Sequence, residues 1–218
     1  MSNQLDYMRK AYDKWAPIYD LVYDGLTAPA RRSAVRAALS NGRRRILEVG
    51  VGTGLSLRNY PRETEIYGVD LSYGMLVRAR EKIARRRLRH VKLIAAMDAC
   101  RLGFPDESFD AVVAQFVITL VPEPEVALKE MARVLRPGGE IILANHLGAE
   151  EGLQAAIEEK CAGIAKRIGW STEFKLSRIE NWAQASGMIE HVSAKDAFPG
   201  GFFKVVRLRK PIDSALAA

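Results

Sequence analysis

Three glycines at alternate positions follow a short apolar segment in the first quarter of the chain. Residues 48–54 are Glu-Val-Gly-Val-Gly-Thr-Gly, and glycines at this spacing let a backbone turn tightly and approach a ligand closely. Several nucleotide-binding folds place such a loop between a strand and a helix. A dinucleotide fingerprint would need glycine at position 55, which is Leu55, and a P-loop would need a lysine directly after its last glycine. The loop therefore indicates a nucleotide-type ligand that belongs to neither class.

Two carboxylates follow later predicted strands, where they could complete the same ligand site. Asp70 ends the second strand, 20 residues after Gly50, and a carboxylate there can accept hydrogen bonds from both ribose hydroxyls. Alternatively, Asp70 could cap the helix that follows near Ser72. Asp98 follows the third strand, and taken alone it would be an ordinary loop acid.

From Arg45 onward, short apolar strands alternate with helical segments, which predicts a parallel sheet covered on both faces. The expected strands are 46–49, 66–70, 91–94, 109–116, 140–144, 189–194 and 203–209. The expected helices are 72–86, 123–135, 150–168 and 178–186. The predicted fold class is α/β, a Rossmann-like seven-stranded and mostly parallel sheet with its last strand antiparallel and an N-terminal helical cap.

The first forty or so residues have a different pattern. Spacings of three and four place a set of apolar side chains on one helical face: Leu5, Met8, Tyr12, Trp15 and Tyr19. Pro17 ends or kinks this helix, and a second helix is expected over 30–39. Such an amphipathic helix could dock on the core or lie in a lipid interface. We predict a helical cap and membrane-contact segment over 1–42, an α/β domain over 43–211 and a tail over 212–218.

Composition limits the protein class and compartment. The chain has 218 residues, with 33 Lys and Arg against 26 Asp and Glu, a net charge of +7. This excess suggests an anionic partner, either a membrane surface or nucleic acid. Two cysteines fit a reducing cytosol, and no apolar run approaches the roughly 20 residues of a bilayer-spanning helix. Early charged residues argue against a signal peptide, so we expect a cytoplasmic protein.

The glycine loop, Asp70, Asp98 and the Arg-Pro-Gly-Gly turn at 136–139 together resemble the class I S-adenosylmethionine-dependent methyltransferases. The resemblance implies a methyltransferase domain over 43–211, S-adenosylmethionine as cofactor and S-adenosylhomocysteine as product. In that family an acid at the position of Asp98 accepts the adenine amino hydrogen. Met75 could pack under adenine or be an ordinary core residue. The implied cofactor-binding residues are Tyr19, Glu48, Gly50, Val51, Gly52, Thr53, Gly54, Asp70, Leu71, Met75, Met97, Asp98, Ala99, Gln115 and Phe116.

Further motifs bear on the substrate. Residues 12–20 resemble the entry motif of the ubiquinone/menaquinone-biosynthesis branch, in which this segment folds over the cofactor as a lid and Tyr19 would lie against its methionine end. Residues 49–57, 115–122 and 145–150 resemble the small bacterial phosphatidylethanolamine N-methyltransferases. This second resemblance implies up to three methyl transfers to a phospholipid amine, giving phosphatidylcholine, with a phospholipid and an anionic membrane surface as partners. It also implies peripheral association with the cytosolic face of the inner membrane.

Methylation of an amine places demands on the residues. An ammonium has no lone pair, so it must lose a proton before attack, and His146 is the candidate base or proton relay, with a structural role as the alternative. Tyr19 is the second catalytic candidate. Aromatic faces attract methylated ammonium groups, and cationic side chains bind phosphate. The substrate candidates are Tyr12, Tyr23, His146, Lys175 and Arg178.

Two other functions stay open at the level of sequence. One is methylation of a quinone precursor or another small molecule, favoured by the entry motif alone. The other is a non-catalytic S-adenosylmethionine-binding protein that interacts with membranes. Gln115-Phe116-Val117-Ile118 stands where base-modifying methyltransferases often carry Asn/Asp-Pro-Pro-Tyr, so no nucleic-acid partner is expected. The three histidines are scattered, so no metal site is expected. We also expect a monomer.

Overall fold

A computed structural model describes residues 25–148, 174–197 and 202–212. Its strands form one seven-stranded sheet with the order β3-β2-β1-β4-β5-β7-β6. The strands are β1 (Arg45–Val49), β2 (Glu65–Asp70), β3 (Val91–Ala96), β4 (Phe109–Gln115), β5 (Leu135–Asn145), β6 (His191–Ala197) and β7 (Phe203–Arg209). The helices are α1 (25–38), α2 (Tyr73–Arg86), α3 (Pro124–Val134) and α4 (Leu176–Ser186).

The sheet is parallel except at β7. Strands β1 to β5 pair in parallel, whereas β7 runs antiparallel to both β5 and β6. This arrangement confirms the predicted Rossmann-like sheet with its antiparallel last strand. The strand order reverses between β1 and β4, and in open α/β sheets ligands bind beyond the carboxyl ends of the strands at such a reversal.

Two apolar layers cover the sheet. On one face, Leu128 and Met131 of α3 and Ile179 of α4 pack on the sheet as part of one buried cluster. On the other face, Ala34 of α1 and Leu76 of α2 belong to a second cluster. The central strands are therefore buried on both sides, which explains why they are almost continuously apolar in sequence.

Local capping defines the bounds of α2. The Ser72 hydroxyl accepts a hydrogen bond from the Met75 amide at 3.3 Å, so Ser72, and not Asp70, is the N-cap. The helix ends at Arg86, and the next residue, Arg87, is its C-cap with a left-handed φ of 52°. The predicted range of 72–86 is thus correct to within one residue.

Strand β5 is longer than predicted. The Arg136–Gly139 segment was expected to form a turn before a strand over 140–144, but it lies inside β5. The register of the pairing with β4 shifts between Phe109 and Ala111. This shift accommodates the Arg136–Gly139 segment, with its two glycines, within the strand. A Cβ on Gly139 would lie 2.9 Å from the Asp110 carbonyl oxygen, so glycine permits this close approach. The expected helix over 150–168 and the N-terminal helical stripe lie outside the described residues.

Candidate cofactor and active site

A cavity of about 380 Å³ opens beyond the carboxyl ends of β1, β2 and β4. It is formed by the glycine loop, the β2–α2 turn, the segment after β3, the segment after β4 and part of α1. Of the fourteen predicted cofactor residues that the structure describes, thirteen line this cavity and Gly54 does not. The tertiary structure thus brings together the separate sequence motifs at the strand-order reversal.

Glycine is required at two points of the loop, where the backbone approaches different neighbours. Gly50 has a φ of +72°, and a Cβ there would lie 2.7 Å from the Val117 side chain. Gly54 has a φ of +76°, and a Cβ there would lie 2.8 Å from Leu57 Cδ1 and 3.4 Å from Ala79 Cβ. Gly54 therefore lets the loop pack against α2 and does not line the cavity, and its predicted role at the cofactor stays a prediction.

Asp70 joins the glycine loop to the start of α2. Its Oδ2 accepts a hydrogen bond from the Gly52 amide at 2.8 Å, and its Oδ1 accepts one from the Ser72 amide at 2.9 Å. Burial raises the pKa of Asp70 in spite of these hydrogen bonds. Each carboxylate oxygen can accept a second hydrogen bond, so Asp70 can still receive two hydroxyls from a ligand.

Glu48 is the most deeply buried acid of the cavity lining, with 2% of its surface exposed. Its Oε1 accepts hydrogen bonds from the Ser56 hydroxyl and from Gln115 Nε2 at 3.3 Å. Its Oε2 has no hydrogen-bond partner among the described residues. Burial raises the pKa of Glu48 to about 7, and the nearby hydroxyls of Ser56 and Tyr60 and the charge of Arg31 offset this only in part. A cationic group beside Oε2 would favour the ionised form.

Arg31 is a site residue that the sequence analysis missed. It lies on α1, is 6% exposed, donates a hydrogen bond to the Thr27 hydroxyl and lines the cavity with Thr27. Of the described lining residues, Arg31 is the one base against four acids: Glu48, Asp70, Asp98 and Glu123. The sequence offered only a stripe of small residues around it, which indicates packing and gives no indication of chemistry.

The opposite wall of the cavity is largely apolar. Its side chains include Met75, Met97 and Leu120, which suit a flat ring. The Asp98 carboxylate accepts a hydrogen bond from the Cys100 amide at 2.8 Å, which holds the loop after β3. Burial, together with the charges of Asp98 and Glu123, raises the pKa of the Cys100 thiol to about 11. This cysteine is therefore a protonated wall residue at neutral pH and a poor nucleophile.

Phe116 adopts a strained backbone conformation at the end of β4. Its φ is 58°, in the left-handed region that bulky residues rarely occupy. The amide of Phe116 donates to the Ala144 carbonyl at 2.7 Å, and its ring packs edge-on against Phe203 at 5.2 Å. These contacts hold the strained turn, which directs Gln115 and Val117 to the cavity wall. Such strain is common at functional sites.

His146 follows β5 but does not line the cavity. It is 6% exposed, and its ring stacks on Phe202 with centroids 4.1 Å apart. Its Nδ1 lies 2.8 Å from the Phe202 carbonyl oxygen. Because a carbonyl can only accept, Nδ1 carries the hydrogen in the neutral ring and Nε2 carries the lone pair.

Two other predicted substrate residues, Arg178 and Lys175, do not line the cavity. Arg178 is paired with Glu125 at 2.5 Å on the surface, and its guanidinium lies over Phe174. Lys175 is exposed and pairs through its backbone with Gly148. The predicted substrate tyrosines, Tyr12 and Tyr23, lie outside the described residues, as does Tyr19.

Two features are absent from the described residues, 25–148, 174–197 and 202–212. No helix in that part of the chain has the length and apolarity needed to cross a bilayer. The same residues contain no group of three or more His, Cys, Asp or Glu side chains placed to hold a metal ion.

Comparison with known sequences agrees with this geometry. Residues 47–143 match the family of methyltransferase domains. A phosphatidylethanolamine N-methyltransferase of Cereibacter sphaeroides is 41% identical over 208 residues, which cover 95% of this chain and 99% of that protein. A demethylmenaquinone methyltransferase of Renibacterium salmoninarum is 38% identical over 144 residues, which cover 64% of this chain and 58% of that protein.

Solved structures share the fold. A possible histamine N-methyltransferase of Thermotoga maritima superposes with a TM-score of 0.66 at 25% identity, covering 96% of this chain and 100% of that one. A phosphoethanolamine N-methyltransferase 2 of Haemonchus contortus, in complex with phosphomonomethylethanolamine and S-adenosylhomocysteine, superposes with a TM-score of 0.71 at 18% identity. That match covers 91% of this chain and 58% of the other.

The seven-stranded sheet and the cavity at its strand-order reversal define an S-adenosylmethionine-dependent methyltransferase of class I. Within that class, the chain belongs to the family represented by the Cereibacter sphaeroides enzyme, to which it is similar over almost its whole length.

The charged and apolar residues of the cavity fit the chemical groups of S-adenosylmethionine. The cofactor carries a sulfonium, an ammonium and a carboxylate, and the described lining has a surplus of acids. Glu48, with its unpartnered buried oxygen, would hold a cationic group, and Arg31 would hold the carboxylate. Asp70 would receive the ribose hydroxyls, and the apolar wall with Asp98 would hold the adenine ring.

Proposed function

We propose that this enzyme transfers methyl groups from S-adenosylmethionine to the amine of phosphatidylethanolamine and of its mono- and dimethyl forms, giving phosphatidylcholine. The observation that carries the proposal is the 41% identity to a phosphatidylethanolamine N-methyltransferase, which extends over 95% of this chain and 99% of that protein. We propose that the reaction takes place at the cytosolic face of a membrane, where a two-chain lipid is available.

The site supports an amine substrate through its charge. When bound, the cofactor supplies an electrophilic methyl carbon on a sulfonium. The acids that line the cavity, Glu123 among them, would attract an incoming ammonium. Holding the amine nitrogen in line with that methyl carbon is a proximity and orientation effect of several kcal/mol. The chain's main contribution is therefore to bind and align the two reactants.

The ammonium must also lose its proton, and we propose His146 as a proton relay. The hydrogen bond at Nδ1 fixes the tautomer in which Nε2 can accept a proton. Because His146 does not line the cavity, the proton would reach it through an intervening group, such as water. Replacing His146 by alanine should lower kcat and leave the Kd for S-adenosylhomocysteine unchanged, whereas an unchanged kcat would remove His146 from the mechanism.

A quinone precursor is the second candidate substrate. Demethylmenaquinone methyltransferases are similar to this chain at 36–39% identity, but the match covers only 64% of it for the Renibacterium protein. A carbon nucleophile on a quinone-type ring would need no pocket that binds a cationic amine. The third candidate, a non-catalytic binding protein, would bind the cofactor and show no turnover.

A single assay separates the candidates. Purified full-length protein is incubated with isotopically labelled S-adenosylmethionine and liposomes with or without phosphatidylethanolamine, and the lipids are separated by head group. Asp70→Asn serves as the control with a weakened cofactor site. Label in mono-, di- or trimethylated phosphatidylethanolamine supports the proposal and counts the methyl groups added. No labelled lipid despite cofactor binding refutes it, and the same assay with a demethylmenaquinone then tests the alternative.

A further inference from the structure

The positive charge of the chain is concentrated in one short segment. Residues 78–92 contain eight Lys and Arg and a single acid, Glu81, so that this segment alone has a net charge of +7. The whole chain also has a net charge of +7, because the other residues comprise 25 bases and 25 acids. The basic character that suggested an anionic partner is therefore a local property of this segment.

The segment lies on the surface at one edge of the sheet. It comprises the second half of α2, the turn that follows and the start of β3, which is an edge strand. Its exposed basic residues are Arg80, Arg85, Arg86, Arg87, Arg89 and Lys92. Within the described part of the chain, no acid forms an ion pair with Arg85, Arg86, Arg87 or Arg89. The charge is thus available to an external partner.

Several of these cations share a small cavity. Arg58, Lys82, Arg85 and Arg86 line a space of about 210 Å³ together with three uncharged residues. Lys82 Nζ also donates to the Thr53 hydroxyl at 2.9 Å, so the cavity adjoins the cofactor loop. A phosphate group placed in this space could accept hydrogen bonds from the cationic side chains that line it.

An apolar strip continues the basic segment towards the cofactor cavity. Leu71, Tyr73 and Val77 are 45%, 61% and 36% exposed. Tyr73 and Val77 lie one helical turn apart, on the same side of α2 as Arg80. Leu71 also lines the cofactor cavity, so the strip reaches the wall of the active site. Exposed apolar side chains beside a basic face are typical of surfaces that lie in a membrane interface.

We propose that the outer face of α2, with Leu71 and the turn at 87–90, docks the enzyme on an anionic lipid bilayer. Lipid phosphates bind the exposed arginines of the segment, and Leu71, Tyr73 and Val77 enter the boundary between head groups and acyl chains. This inference deepens the proposed function and rests on it, since docking through Leu71 places the cofactor cavity at the lipid surface. The apolar strip favours a bilayer over nucleic acid, which is recognised by cations and by base contacts.

The test compares two triple variants of the full-length protein with equal loss of charge. Arg85→Gln, Arg86→Gln and Arg89→Gln remove three exposed cations from the proposed surface. The control replaces Arg36, Lys129 and Lys195, which are exposed on α1, α3 and β6, by glutamine. A basic residue near an anionic leaflet contributes about fivefold to the partition coefficient. We therefore expect the first variant to bind phosphatidylglycerol-containing vesicles about a hundredfold more weakly than the control at low salt.

A third variant tests the apolar strip. Tyr73→Ser with Val77→Ser should weaken vesicle binding at high salt as well as at low salt, because burial of apolar surface is not screened by ions. Thermal unfolding of each variant identifies any that fail to fold. Equal vesicle binding by the basic variant and its control overturns the docking proposal. Tighter binding of single-stranded RNA than of the vesicles, lost in the basic variant, overturns it in favour of nucleic acid.

The catalytic proposal is tested separately with a short-chain, water-soluble phosphatidylethanolamine. Methylation of this lipid by the basic variant at the wild-type rate, together with lost vesicle binding, supports both proposals. If wild-type protein binds the vesicles through this surface but methylates neither the soluble nor the vesicle lipid, docking stands and the substrate proposal fails.

Discussion

Replacing Glu48 by glutamine tests whether a buried carboxyl at the cofactor cavity makes the ligand-free protein sensitive to pH. Burial raises the pKa of Glu48 from 4.5 to about 7 in the folded protein. The unfolded chain releases this proton near pH 4.5, whereas the folded chain holds it until about pH 7. Between these values the folded state binds more protons, so its stability falls as the pH rises.

The size of the stability change follows from the difference between the pKa values of Glu48 in the unfolded and folded states. The gap between pH 4.5 and about 7 corresponds to roughly 3 kcal/mol of unfolding free energy, at about 1.4 kcal/mol for each pH unit. Glutamine has nearly the same shape, keeps an oxygen for Ser56 and Gln115, and does not titrate. The Glu48→Gln variant should therefore match the wild type near pH 4 and exceed its stability by about 3 kcal/mol above pH 8.

The assay is urea unfolding of both proteins without cofactor over this pH range. The quantity compared is the difference in unfolding free energy between variant and wild type, since the titration of all other groups cancels in it. The Glu48→Gln variant should bind the cofactor more weakly than the wild type, because glutamine cannot provide a negative charge for a cationic ligand. A stability difference that does not change between pH 4 and pH 8 would show that Glu48 titrates normally and would refute the reasoning.

Three further substitutions probe other parts of the structure. Gly50→Ala places a Cβ 2.7 Å from Val117 at a positive φ, so calorimetry should detect no binding of S-adenosylhomocysteine, and near-normal affinity would contradict this account of the loop. In wild type, Asp70 accepts hydrogen bonds from the amides of Gly52 and Ser72. Asp70→Asn places an NH₂ group opposite one of these amides, so two donors face each other. Equilibrium dialysis should show S-adenosylhomocysteine binding weakened about tenfold or more. Glu140→Gln removes the buried partner of three arginines and should cost about 3 kcal/mol at neutral pH. That loss should disappear in acid, because arginine hydrogen bonds outweigh burial and lower the pKa of Glu140; a loss independent of pH in urea unfolding would show that the charge is not involved.

Much of the sheet could be predicted because each strand carries its own local pattern. The apolar runs at β1, β2 and β4 and the glycine loop after β1 are recognisable from neighbouring residues alone. The bounds of α2 were predictable for the same reason, since Ser72 caps it through a contact three residues away. Strand β5 was predicted too short because residues 136–139 fall in a register shift of its pairing with β4 and are held by hydrogen bonds between Gly138, Gly139 and Lys210, which are contacts distant in sequence.

The residues of the candidate site likewise include some that could be predicted from local sequence and some that could not. Glu48, Asp70 and Asp98 were predictable because each lies at or just beyond the carboxyl end of a strand, and parallel strands bring these ends to one edge. Arg31 was not predictable, since nothing in α1 distinguishes a cation that enters the cavity from one that faces solvent. The raised pKa of Glu48 also depends on burial by residues from other elements.

The sequence by itself determined the class of the ligand, the order of the strands and helices after Arg45, and the total charge. Only the tertiary structure decided which charges meet. It buries Glu140 among three arginines, places Arg31 beside Glu48 in one cavity, and leaves the excess positive charge of 78–92 on one exposed face. The physical reason is that backbone conformation and apolar periodicity depend on near neighbours, whereas burial and electrostatic environment depend on residues that only the fold brings together.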